Sequence, residues 1–444
     1  MPSRPLFALS TSPVLAVALL VAAGCGPVMR VSSAPAPDTA RLGHDVRLLA
    51  ADSLEGRRTG TPGNDAAASW IASQLLAAGV QPVAPRRETC GDRGGCRPVF
   101  LHRFVARPAR GPHDTVTQSL PTHNVVGIIP GRDPALRTQY VILGAHFDHL
   151  GRSTTGALDP DRGSEIRNGA DDNASGTAAV LELARHFARN PARRSILVIL
   201  FSGEELGLLG SQHFVSNAPL PLDSVQAMLN FDMVGRLRND RLIVYGVATA
   251  TEWPDLIAAA NTEPVFQLNA VGDGFGPSDH SSFYAKDLPV LHFFTDLHED
   301  YHRATDDAAA IDVAGLARVT AYAARITSDI ADRPGRLSFV RAPVAAPSTS
   351  ARTGSQAWLG TIPDMGAGDV KGLRITGVRA GSPADSAGLR EGDVIVEFDG
   401  KAVTDLVTYS EALYARQPGD TVEIVFMRGT GRMTARTTLG RRGG

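Results

Sequence analysis

Ile196-Leu-Val-Ile-Leu-Phe-Ser-Gly-Glu-Glu205 is the stretch on which the fold turns. Six consecutive apolar residues stop abruptly at Ser-Gly and two acids. A run apolar on every position is a strand covered on both faces, and such strands belong to parallel sheets with helices on either side. Working outward, Tyr140-Val-Ile-Leu-Gly-Ala-His146, Asn124–Ile129, Ala227–Asp232, Leu242–Tyr245 and Pro289–Phe294 read as further strands. Between them lie helical patterns at Asn64–Ala78, Asn173–Ala188, one beginning near Glu205–Gly210 and continuing to Val215, Trp253–Asn261 and Asp312–Ile330. One further strand is expected at Val99–Val105. The alternation predicts an α/β fold with a mostly parallel central sheet flanked by helices.

The chain has 444 residues, too many for one typical core, so two folded domains plus a leader are expected. With 44 basic against 46 acidic residues, nothing points to nucleic acid as a partner. Arg4 and the apolar run Val14–Ala23 read as a signal peptide over 1–25, too short for a stable membrane span. It ends in Ala22-Ala23-Gly24-Cys25, which resembles a lipobox, so a lipid anchor on Cys25 would be the only membrane attachment, with ordinary signal cleavage as the alternative. The expected address is the cell envelope or the exterior. Residues 26–40 read as a tether, 41–333 as the larger domain, 334–354 as a Pro- and Ser-rich linker and 355–441 as a small β-rich domain. In the oxidising compartment that export implies, Cys90 and Cys96 would form a small-loop disulfide.

The chemistry collects at strand ends, where ligands bind in open α/β sheets. The Tyr140 strand runs into His146-Phe-Asp-His149, the Ile196 strand into Glu204-Glu205, the Ala227 strand into Asp232, and the Pro289 strand towards Tyr301-His302. Asp171-Asp172 opens the helical pattern between the first two. Alone, each acid reads as a cap or a solvated helix start. As a set, histidine and carboxylate at several consecutive strand ends are the ligand chemistry of zinc.

The segments Gly144–Asp148, Gly169–Thr177, Ser202–Ser211, Leu229–Gly235 and Tyr301-His302 together resemble the co-catalytic dizinc aminopeptidases of secreted bacterial leucyl type, more distantly glutamate carboxypeptidase II. The resemblance implies two Zn²⁺, with Co²⁺ or Mn²⁺ as substitutes. His146 and Asp232 would hold one ion, Glu205 and His302 the other, and Asp172 would bridge them. Glu204 would be the general base acting on a metal-bridging hydroxide, Asp148 would orient His146, and Tyr301 would hold the oxyanion. The substrates implied are peptides with a free N-terminus. Asp171 and His149 are assigned structural roles, His292 is read as a core or supporting histidine, and Asp279 and His280 as neighbours of the site. Asp306 and Asp307 are read as supporting or capping residues. The alternatives are a carboxypeptidase of the same family, a single-zinc enzyme like glutaminyl cyclase, and a non-catalytic peptide-binding lipoprotein.

Trp358–Asp364, Ser382–Leu389 and Glu391–Gly400 resemble a PDZ domain of bacterial exported proteases. That resemblance implies capture of an extended C-terminal peptide at a sheet edge. Leu373–Val378, Asp393–Phe398 and Thr421–Phe426 are its expected strands, and Tyr409–Ala415 its expected helix.

Overall fold

The computed structural model describes Met1 and residues 36–83, 100–108, 119–262 and 264–341. In the C-terminal part it describes 357–363, 371–378, 381–404, 408–409, 412–413 and 415–441. The signal segment, the lipobox-like end and the Cys90–Cys96 loop lie outside the described residues. So do most of the tether and of the linker.

The larger unit runs α1 (Thr39–Leu49), α2 (Pro62–Ala77), β1 (Gln81–Pro82), β2 (Leu101–Ala106), β3 (Leu120–Ile129), β4 (Tyr140–His146) and α3 (Gly176–Arg189). It continues through β5 (Ser195–Phe201), α4 (Leu209–Ser216), β6 (Val225–Phe231), β7 (Arg241–Tyr245) and α5 (Trp253–Ala260). β8 (Gln267–Val271), α6 (His280–Tyr284), β9 (Val290–Phe294) and α7 (Val313–Asp332) complete it. The strands form one sheet in the order β1-β3-β5-β4-β6-β9-β7-β8, with β2 paired to β3.

The centre of this sheet is parallel, and so is the β7–β8 pair at one edge. β5, β4, β6 and β9 run side by side in one direction, whereas β3 pairs antiparallel with β5 and β7 antiparallel with β9. The sheet is therefore mixed, and the expectation of a mostly parallel one holds for the part that is apolar on both faces. The alternation along β5 shows why. Ile196, Val198 and Leu200 pack into the core that also takes in α1, α2, α3 and α7. Leu197, Ile199 and Phe201 pack on the opposite face with Phe214 of α4 and Phe283 of α6. Each face buries its own apolar set, which is the main stabilising contribution of such a layered fold.

Two helix starts bear on the site. The helix expected from Asn173 begins at Gly176, because Asp172 (φ −104°, ψ 90°) and Asn173 (φ −135°, ψ 46°) are not helical. The helix expected to begin near Glu205–Gly210 begins at Leu209, leaving the two glutamates in the preceding turn. In both places the backbone leaves the helical path where a buried side chain must point at the site rather than along a helix. β8 and α6 were not expected from the sequence; β8 is half exposed and α6 only five residues long, so neither has a strong apolar period.

The C-terminal unit has strands at Thr361–Pro363, Leu373–Val378, Val394–Phe398, Lys401–Ala402, Thr421–Arg428 and Gly431–Thr438 in one antiparallel sheet. Its own core includes Leu359, Ile375, Ile395, Phe398 and Ile424. Residues 408–409 and 412–413 are helical, consistent with the expected helix.

Candidate metal centre

The four parallel strands deliver their carboxyl ends to one edge, so His146 closes β4, Glu204 and Glu205 follow β5, and Asp232 follows β6. Tyr301 and His302 arrive on the loop after β9. All six line one cleft together with Asp172, Met233, Tyr245, Pro277, His292, Phe294 and Leu297.

The Asp172 carboxylate is divided between two histidines. Its Oδ1 lies 3.3 Å from His146 Nε2, and its Oδ2 lies 3.2 Å from His302 Nε2. His146 Nε2 also lies 3.3 Å from Asp232 Oδ1, and His302 Nε2 3.3 Å from Glu205 Oε2. Ligands held tetrahedrally at zinc–ligand lengths of about 2.0–2.1 Å stand about 3.3–3.4 Å apart. The four spacings match that edge and are long for charge-assisted hydrogen bonds. The other nitrogen of each ring points away to a carbonyl, His146 Nδ1 to Asp148 O at 3.1 Å and His302 Nδ1 to Gly156 O at 2.8 Å. A neutral ring that donates from Nδ1 presents an unprotonated Nε2, the form a metal requires.

The electrostatics favour cations in the same place. Burial pushes the imidazolium of His146 down, but Glu204 and Asp232 outweigh it and hold its pKa well above the usual value. His302 is likewise raised against burial by Glu205 and Asp172. Burial pushes Glu204 well up, with Glu205 and Asp232 adding to it against the attraction of His146. Burial also opposes ionisation of Glu205, yet the histidines, His302 first, bring it down to about 2. A buried cluster of carboxylates that draws protons onto its histidines has the charge balance of a site for divalent cations. The donor set fits zinc.

Asp148 is fully buried, but its carboxylate is not the nearest group to His146. The carbonyl of Asp148 holds His146 Nδ1, while Oδ1 is 3.8 Å away. The carboxylate accepts from Thr59 Oγ1 at 2.8 Å and from the backbone N–H of Glu204 at 3.2 Å. It thus ties the β4 end to the turn that carries both glutamates. Tyr301 stacks on the His302 ring at 3.9 Å. Burial, then Asp172 and Glu205, push its phenol well above the ordinary value, so it stays a hydrogen-bond donor.

Gly169–Gly176 is stitched to the Asp232 loop rather than capping a helix. Asn173 Nδ2 donates to Phe231 O at 2.8 Å, and its Oδ1 accepts from Gly176 N at 2.9 Å. Asp171 Oδ1 accepts from Gly235 N at 2.7 Å, and Ser175 Oγ accepts from Val234 N at 3.1 Å. A Cβ on Gly176 would stand 2.3 Å from Phe231 O, so glycine is needed for this approach. Asp306 accepts from the backbone N–H groups of Asp171 and Asp172, both at 3.0 Å, and so fixes the turn from beneath. Asp307 reaches Asn168 Nδ2 at 3.2 Å.

Two residues outside the sequence assignment, Arg57 and Thr59, complete the frame together with His149. Arg57 is wholly buried and donates to the carbonyls of Leu49, Phe147, Asn168 and Gly169. Thr59 holds Asp148, and His149 Nδ1 lies 2.6 Å from Glu205 Oε1. The only hint in the sequence is the cluster of charge and glycine at Asp52–Gly63, which has no helical or strand period. His292 stacks on His280 at 4.4 Å, and burial lowers its pKa to about 4, the mark of a neutral supporting imidazole. Asp279 is fully buried, and burial raises it to about 7.

Comparison with known proteins agrees with this geometry. Residues 124–327 match the Peptidase family M28 profile, and residues 351–439 match that of the PDZ domain. The segment that carries the centre belongs to peptidase family M28, and the C-terminal unit is a PDZ domain. Among curated proteins, the chain is similar to leucine aminopeptidase 1 of Trichophyton equinum, 34% identical over 185 residues, covering 38% of this chain and 46% of that one. The chain spans well under two thirds of the length of the curated relatives it matches first. Among solved structures, it shares its fold with the aminopeptidase from Aneurinibacillus sp. strain AM-1 (TM-score 0.51, 19% identity, 72% of this chain and 99% of that chain). The same fold is found in Bacteroides thetaiotaomicron glutaminyl cyclase bound to N-acetylhistamine (TM-score 0.53, 18% identity, 67% of this chain and 99% of that chain).

Proposed function

We propose that the protein is an exported aminopeptidase that holds two zinc ions and hydrolyses the first peptide bond of its substrate. The observation that carries the reading is the Asp172 carboxylate, with one oxygen turned to His146 and the other to His302. His146 and Asp232 would hold one ion, Glu205 and His302 the other, and Asp172 both. Bound there, the ions supply Lewis-acid polarisation of the scissile carbonyl and acidify a water.

The chain's own groups do the rest. Glu204 sits beside the ligands without a place in either half-site, so its carboxylate is free to take the water's proton and give it to the leaving amine. Tyr301, kept protonated, donates to the developing oxyanion. Asp148 sets the direction of Glu204 by accepting its backbone N–H.

The polarity of cleavage is read from the cleft wall. Met233, Tyr245, Phe294 and Leu297 offer an apolar surface, and among the described residues neither lysine nor arginine lines it. Apart from the metal ions themselves, a free C-terminal carboxylate would find no side-chain cation to pair with, whereas a free amine would find carboxylates. This supports an aminopeptidase acting on apolar N-terminal side chains over a carboxypeptidase. The glutaminyl cyclase fold is shared, but the half-site at His146 and Asp232, beside that at Glu205 and His302, favours two ions over one. The signal-like Val14–Ala23 run and Cys25 support export with a lipid anchor, and the PDZ unit supports binding of an extended peptide.

The test is one assay. Purified protein is offered leucyl and N-acetyl-leucyl chromogenic peptides, with and without a chelator. Cleavage confined to the unblocked peptide and abolished by the chelator is expected. Cleavage of the blocked peptide would overturn the polarity, and activity unchanged after metal removal would overturn the chemistry.

A further inference from the structure

His149 lies beside Glu205, Asp172 and His302, the residues assigned above to the second half-site, and proximity alone would make it one of them. Its Nδ1 stands 2.6 Å from Glu205 Oε1 and 3.7 Å from Asp172 Oδ2. The first spacing is far shorter than the roughly 3.3–3.4 Å edge between two ligands of one tetrahedral zinc, so no ion sits between these atoms. It is the length of a charge-assisted hydrogen bond to a carboxylate. Glu205 is then used at both oxygens for different purposes: Oε1 meets His149, while Oε2 faces His302 across the metal-ligand spacing.

The ring is fixed for this task. It is buried, it meets the His302 ring edge-on at 5.7 Å, and its far side rests on Gly169. A Cβ on Gly169 would lie 2.4 Å from His149 Cγ, and the residue holds φ +58°, so the backbone approaches the imidazole as only glycine allows. Gly169 O in turn accepts from the Arg57 guanidinium, so the surface behind the ring is itself held.

We propose that His149 is a positioning residue that clamps Glu205 Oε1 and so presents Oε2 alone to the second half-site. The consequence is a coordination position left open. A carboxylate free to turn would close on the ion with both oxygens and occupy the place a substrate group needs. The clamp also fixes the chain from which the adjacent Glu204 projects. The proposal rests on the dizinc reading above, and its test separates the two.

Metal-free protein is titrated with Co²⁺ against a chromophoric chelator, for the parent chain, His149→Ala and His149→Asn. The asparagine amide nitrogen stands where Nδ1 stands and restores the donor. The parent is expected to take up two equivalents. In His149→Ala one equivalent weakens by about 10–100-fold, the range for loss of a group that orients a ligand, while the other stays within about threefold. His149→Asn returns the weakened equivalent to within about threefold of the parent. X-ray absorption of the Co²⁺-loaded protein shows the same number of imidazole nitrogens in all three chains. Near-ultraviolet circular dichroism of the metal-free variants checks that the fold is kept.

Unchanged affinity for both equivalents in His149→Ala overturns the clamp. So does equal weakening of both, which marks a general packing effect, and so does the loss of one imidazole nitrogen, which marks a ligand. A parent chain that takes up a single equivalent overturns the dizinc reading alone, since the clamp still requires His149→Ala to weaken that equivalent and His149→Asn to restore it.

Discussion

Arg57 is where the frame of the centre is most exposed to a single substitution. Its guanidinium donates to four carbonyls: Leu49 at the end of α1, Phe147 beside His146, and Asn168 and Gly169 ahead of Asp172. Burial lowers its pKa to about 10, while Asp148, Asp172, Asp306 and Glu205 pull it back up, so it remains charged at neutral pH. Arg57→Met keeps most of the apolar stem and removes every donor. Each carbonyl left unpaired costs roughly 1–3 kcal/mol, but water admitted to the space reaches some of them. Removing one side of a buried charged network costs about 3–5 kcal/mol, and we expect the net loss there. Urea unfolding in the presence of a chelator, followed by near-ultraviolet circular dichroism, measures it without the contribution of bound metal. Arg57→Lys, with one point charge in place of a planar fork, recovers less than half. A loss under about 1 kcal/mol for Arg57→Met would show that the four carbonyls do not depend on this residue, and the account of how the ligand loops are held would be wrong.

Three further outcomes follow from named contacts. Asp172→Asn removes the oxygen pair shared by both half-sites and weakens both zinc equivalents by more than the roughly 10–100-fold typical of a supporting residue, while Asp171→Asn keeps its Oδ1 for Gly235 and retains both; competition titration reads the difference, and equal effects would mean the bridging role is misassigned. Glu204→Gln keeps two zinc ions by elemental analysis and loses about 10²–10⁴-fold in kcat, and a variant with turnover within a few-fold of the parent would remove Glu204 as the base. Burial opposes ionisation of Glu182, but the Arg41 guanidinium at 2.8 and 3.0 Å and the Asp38 N–H bring its pKa below the ordinary 4.5. Its contribution, roughly 0.5–1 kcal/mol, is therefore complete above about pH 4.5 and lost as pH falls through the folded value. Glu182→Gln should flatten the stability profile in that window and leave its slope above pH 6 unchanged.

The parts of this protein that were legible in its sequence share a physical cause. A strand buried on both faces must be apolar at every position, so β4, β5 and β6 could be seen, and the acids and histidines that interrupt such runs stand out at their ends. His146, Glu204, Glu205 and Asp232 lie beside such a break, Asp172 precedes a helix and His302 stands further along the loop after β9, and the structure brings all six into one cleft. What could not be read is the support around them. Arg57 meets Phe147 across 90 positions, Asn168 across 111, and Asp306 meets Asp171 across 135. Such pairs leave no spacing in the chain. The mixed direction of the sheet leaves no signal for a related reason: strand direction is set by where the connections run, and β8, which pairs parallel with β7, is short and half exposed. The sequence starts the helix at Asn173 because Asp-Asp-Asn-Ala-Ser fits a helix start, yet Asp172 and Asn173 lie off the helical path, and Asp172 faces both histidines.

The central claim is that one carboxylate joins two metal half-sites in a working aminopeptidase. Elemental analysis of the purified parent chain and of Asp172→Asn, each equilibrated with the same micromolar free zinc and assayed on the unblocked leucyl peptide, tests it most directly. The account predicts two zinc ions per chain and chelator-sensitive cleavage in the parent, with both ions and the cleavage lost together in the variant. One zinc retained at full occupancy in Asp172→Asn, or cleavage that survives the substitution, would contradict it.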